Sequence, residues 1–126
     1  MVTIRRTLDR GAILSALIIS TIEKKDRKEV ELEDISRSLD RLMKRNIIDL
    51  SDFDISPGGE YSDDVARFVG NYLLAGYAQK RSPLIFFPEG LQKCRANIED
   101  AKKDKGKLEE LKKVADFLGI DLGKTA

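Results

Sequence analysis

The chain has no histidine, no tryptophan and one cysteine, Cys94. A disulfide within the chain needs two cysteines, so none can form, and a lone thiol at an apolar position fits a reducing, cytoplasmic setting. Without imidazoles or a cysteine cluster, the usual ligand sets for zinc and other transition metals are missing. No metal and no cofactor is expected. The absence of histidine also removes the commonest general base, and no nucleophile motif surrounds any serine or Cys94, so the chain is read as non-enzymatic. A pair of catalytic carboxylates needs no histidine, and 22 acidic residues leave that one chemistry formally open.

Charge of one sign is lacking too. With 23 Lys and Arg against 22 Asp and Glu the net charge is +1, so no overall basic field draws in nucleic acid or an anionic membrane, and binding of either needs a local patch. Long apolar runs are short of membrane length. Residues 12–22 make about half of the roughly 20 residues that a span requires. Arg5, Arg6 and Arg10 precede that run, as in a signal peptide, but no small-residue cleavage site follows and Glu23-Lys24-Lys25-Asp26 ends it. No membrane partner is expected. There is no internal repeat, low-complexity segment or long linker, so residues 1–126 are read as one domain with enough apolar residues, 41%, to build a core.

The residues that are present predict a mainly α fold with a small β component. Residues 8–23 form a helix with Thr7 as N-cap, and Ile13, Leu14, Leu17, Ile18 and Ile22, widened by Ala12, Ala16 and Ile19, make it apolar over most of its circumference. Such a helix belongs in the middle of a core. Val30 fits one or two strand pairings. A second helix over 31–45 carries Leu32, Ile35, Leu39, Leu42 and Met43 at helical spacing, with acids first and bases last, as the helix dipole favours. Its Arg37, Arg41 and Lys44 fall at i, i+4 and i+7. That face suits contact with a phosphate backbone, or simple solvation with partial pairing to Asp34 and Asp40.

Residues 46–60 alternate apolar and acidic positions and read as a short strand or an anchored loop. Asp49, Asp52 and Asp54 lack the spacing and closing Glu of a calcium loop. Ser62 is an N-cap for a helix starting at Asp63, with Val65, Phe68, Val69, Tyr72 and Leu73 as its stripe and Gly76 as its stop. Residues 84–87 form a strand, and Pro88 opens a helix running to about residue 104. Gly106 reads as a break before a last helix over 107–118, closed by Gly119. The last two helices form a C-terminal hairpin. The spread of lysines from Lys102 to Lys113 reads as solvated surface, and the stripe of the last helix docks either on the Leu91, Cys94 and Ile98 side of the helix before it or across a two-fold axis, with Phe117, off the stripe, favouring a homodimer. Residues 121–126 read as a frayed tail.

The Ser62 helix, the turn at Leu74-Ala75-Gly76-Tyr77, the strand 84–87 and the start Pro88-Glu89-Gly90-Leu91 together resemble the recognition helix, wing and following helix of winged helix-turn-helix domains. With the first two helices the resemblance covers residues 8–101. It implies a winged-helix-like core and a DNA-binding, transcription-regulator-like role on double-stranded DNA, with the Ser62 helix in the major groove and Lys80 and Arg81 near phosphate. Arg67 and Asn71 are then the donors facing bases. A winged-helix-like fold also serves protein assembly without DNA, which is the alternative carried forward. Leu17, Ile18, Leu39, Phe68, Tyr72 and Leu91 are expected in one core.

Overall fold

Local signals fix most of the helix ends. The structure is a computed structural model that describes residues 9–25, 29–79 and 84–122. Helix α1 (Arg10–Lys25) starts at Asp9, whose carboxylate accepts the Ala12 N–H at 2.9 Å. The expected cap, Thr7, lies outside the described residues. Helix α2 (Leu32–Arg45) follows the strand β1 (Glu29–Val30) and ends at Asn46, which takes the left-handed conformation at φ 53°. At its start the Asp34 carboxylate accepts the Glu31 N–H at 3.0 Å. Helix α3 (Asp63–Leu74) is capped by the Ser62 hydroxyl, which accepts from the Val65 N–H, and the chain reverses two residues past its end at Gly76, φ 79°.

Two more strands follow, β2 (Ala78–Gln79) and β3 (Leu84–Phe86). The sheet is antiparallel with the order β1-β3-β2, Val30 opposite Leu84 and Ala78 opposite Phe86. Sequence patterning missed β2, because two residues are too few to display an alternation. Phe87 is the N-cap of the next helix, α4 (Pro88–Ala101), rather than part of the strand. A Cβ at Gly90 would lie 2.3 Å from the Tyr77 carbonyl oxygen, so only glycine lets the start of α4 sit against that backbone. Helix α5 spans Lys105–Leu118. It opens earlier than Gly106 suggested, because Asp104 caps it by accepting from the Gly106 and Lys107 N–H groups at 2.9 and 3.1 Å.

The described chain is therefore mainly helical with a small sheet, and α1 is its axis. Every residue from Ala12 to Ile22 is buried. Helix α1 packs most extensively on α4, then on α5 and α2. Its buried hydroxyls are satisfied: Thr21 donates to the Leu17 carbonyl at 2.7 Å, and Ser15 accepts from Asn97 at 3.0 Å. Helix α5 lays Leu111, Val114 and Leu118 into the core against α1, so the apolar stripe expected to seek α4 or a second copy is covered by the central helix. Phe117 is half-buried, with the Arg45 guanidinium 5.6 Å from its ring centre, so it is not left facing water. Of the expected core, Leu17, Ile18, Leu39 and Tyr72 are buried, whereas Phe68 and Leu91 are half-buried at its edge. Leu122 also packs on the core, and its carbonyl accepts from Lys102 at 2.8 Å, so the first part of the expected tail is anchored.

Candidate nucleic-acid interface

The segment between α2 and α3 sets the position of α3. It is an ordered loop that buries Ile48, Leu50 and Phe53 and is tied down by carboxylates. Asp64, in the first turn of α3, pairs with Arg10 of α1 and accepts the Asp54 N–H at 2.7 Å. The Arg10 guanidinium also lies 5.0 Å from the Phe53 ring centre. One carboxylate thus joins three parts of the chain. Asp63 is exposed, and its carboxylate accepts the Tyr61 hydroxyl at 3.1 Å, which raises the Tyr61 pKa because a phenolate there would face a carboxylate.

Beyond that acidic first turn, α3 turns Val65, Val69 and Tyr72 inward. Arg67, Asn71 and Leu74 point to solvent at spacings of four and three residues. Leu74 is 89% exposed, an unusual place for a large apolar side chain in a folded chain. Gly70 lies between them, with nothing within 4 Å of where a Cβ would stand. Leu74 is off the stripe that carries Val65 and Tyr72, so its exposure could have been read from the sequence.

The α2 candidates are elsewhere. Arg37 and Arg41 share an open cleft of about 130 Å³ with Thr21 and Lys24 from the end of α1 and with Asp34 and Ser38. Lys24 adds a cation that helix periodicity does not reveal, because it reaches the cleft only through the packing of α1 on α2. Arg37 is bonded to Glu33 at 2.8 Å, which raises its pKa, and Lys44 pairs with Asp40 at 2.9 Å. Arg41 donates to the Ser38 hydroxyl at 3.1 Å. The Arg37–Glu33 and Lys44–Asp40 pairs are i,i+4 pairs whose cations stand in water, so a phosphate can compete for them, whereas Arg41 is held at i,i+3 to a buried hydroxyl. Asn71 lines a different cleft, between α1, α3 and α4. The structure therefore places the basic row of α2 and the outward face of α3 at separate sites, and Lys80 and Arg81 lie outside the described residues.

No protein-family model, curated protein or solved structure matches this chain. Among the described residues no group of His, Cys, Asp and Glu could hold a metal ion, and no helix is long and apolar enough to cross a membrane. Cys94 is buried and its thiol donates to the Tyr72 hydroxyl oxygen at 3.3 Å. Burial pushes up the pKa of both groups, which keeps Cys94 a neutral thiol, the opposite of an activated nucleophile.

Proposed function

We propose that this chain is a DNA-binding protein of the transcription-regulator type, with α3 as the helix that enters the major groove. The observation that carries the reading is the outward face of α3, where Arg67, Asn71 and Leu74 are exposed and none makes an ion pair or hydrogen bond through its side chain among the described residues. Arg and Asn side chains match the hydrogen-bonding edges of guanine and adenine, and an apolar side chain suits a thymine methyl. Arg67, Asn71 and Leu74 supply that set in one row, and Gly70 lets a groove wall approach the helix backbone. The acidic first turn opposes a duplex at that end, so contact would centre on the part from Arg67 onward.

The order of helix α3, antiparallel strands β2 and β3, and helix α4 supports the winged-helix resemblance. Residues 80–83 connect the two strands, where that resemblance puts a wing and where Lys80 and Arg81 stand. Arg37, Arg41 and Lys44, with Lys24, form a secondary basic surface for phosphate. A dimer through the C-terminal helices is no part of this reading, since the apolar stripe of α5 is already docked on α1.

Gel retardation at low salt across a pool of random duplexes tests the proposal. A selected duplex should lose about 1–3 kcal/mol of affinity on Arg67→Ala, with relaxed preference at one position, whereas Arg81→Ala should flatten the log K against log salt slope by about one unit. Absence of retardation at any salt would eliminate DNA. A protein partner would then be the better reading, favoured by the exposure of Leu74 and of Tyr61, 49% accessible, on the same helix and its approach.

A further inference from the structure

The start of α1, the outer turns of α3 and the face of α4 enclose an open cleft of about 310 Å³. That is at the small end of the roughly 300–1,000 Å³ typical of ligand pockets. Its apolar wall is Phe68, half-buried, with Tyr72 behind it at 5.0 Å between ring centres. Its polar wall is Lys93 and Asn97, one turn apart on α4 and so on the same face.

Asn97 is anchored at its amide. Its Nδ2 donates inward to the buried Ser15 hydroxyl at 3.0 Å and to the Tyr72 hydroxyl oxygen at 3.2 Å, which leaves Oδ1 as the amide atom available to the cleft. The charges around the opening are uneven. Asp9 is met by the Ala12 N–H and by Lys107 at 3.5 Å, and Asp100 by Lys103 at 3.3 Å. Lys93 is exposed and makes no ion pair among the described residues. Gly11 gives a second, independent sign. A Cβ there would be 3.5 Å from the Asp9 carboxylate and 3.9 Å from the Phe68 ring, ordinary contacts, so packing does not require glycine in this first turn of α1. What glycine provides is open space in front of the Phe68 edge.

We propose that this cleft binds a small planar molecule with a hydrogen-bond donor at one end and a carboxylate at the other. The ring lies on Phe68, the donor meets Asn97 Oδ1 and the carboxylate meets Lys93. Binding here stands whether or not the chain binds DNA. The test is an amide-resolved NMR titration of the full chain with 4-hydroxybenzoate, with phenol and benzoate as probes that each lack one end. Saturable shifts should appear at Gly11, Phe68, Lys93 and Asn97, and each truncated probe should bind about tenfold more weakly, the scale of one lost charge-assisted hydrogen bond. Lys93→Glu should weaken 4-hydroxybenzoate about tenfold and leave phenol unchanged, while Lys112→Glu on α5 changes neither. Gly11→Leu should fill the cleft and abolish binding with no fall in Tm. No shifts at millimolar probe, shifts that map elsewhere, or full binding to a folded Gly11→Leu chain would overturn the proposal.

Discussion

Helices α1 and α3 differ in what the fold leaves of them. The first is buried on every side from Ala12 to Ile22, while the second buries Val65, Val69 and Tyr72 and leaves Arg67, Asn71 and Leu74 in water. That stretch of α1 is given over to packing, and what α1 offers to other molecules lies at its ends. A helix with a free face that is neither uniformly charged nor apolar has residues that folding does not explain, and such residues are where function is to be sought. The contrast also bears on α2. Its outward row is charged throughout and partly paired with its own acids, the ordinary composition of a solvated helix surface, so it says less than the outward row of α3.

The largest expected effect lies on the α1 side of that contrast. Leu17 is fully buried at the centre of the molecule, and Leu17→Ala should cost about 3–5 kcal/mol of unfolding free energy, because neighbours on α2, α4 and α5 cannot all close on the cavity. Urea denaturation measures it. A cost under about 1 kcal/mol would mean that α1 is not the packing axis.

Phe68 sharpens the comparison, since it stands where α3 passes from core to surface. Its ring touches Tyr72 yet borders the open cleft, so Phe68→Ala should cost about 1–3 kcal/mol, below the usual range for a fully enclosed phenyl group. A loss equal to that of Leu17→Ala in the same urea series would move Phe68 into the core and close the cleft.

Much of this contrast was legible in the sequence, for reasons particular residues make plain. The all-round apolar pattern of α1 and the Ser62 and Pro88 helix starts are local signals, set within one turn of chain, and they appear where expected. Gly119 closes α5 in the left-handed conformation, as read. Strand β2 was not legible, because its pairing to β3 rests on partners outside its own two residues. Asp104 was overlooked as a cap beside the more conspicuous Gly106. The half-burial of Phe68 at the edge of the cleft depends on how α1, α3 and α4 are assembled, which no single helix encodes. For the candidate surface, Arg67 and Asn71 were found by their place off the stripe. Leu74 and Lys24 were missed: the first was placed in the turn after α3, whereas it is the last residue of the helix, and the second needs α1 and α2 assembled.

The smallest effect on stability, and the one that separates the two halves of the comparison most cleanly, belongs to Leu74. At 89% exposure on the last turn of α3 it buries little apolar area, so Leu74→Ser should change the unfolding free energy by no more than about 0.5 kcal/mol. Binding should respond differently. If the outward face of α3 reads DNA, Leu74→Ser should weaken a selected duplex by about 1 kcal/mol at sites with thymine opposite that position, and leave sites without it unchanged. If the face instead docks a protein, the same substitution should remove an apolar anchor and weaken that complex whatever the DNA. A stability loss well above 1 kcal/mol would show that Leu74 is packed after all, and α3 would then have no free apolar residue to set it apart from α1.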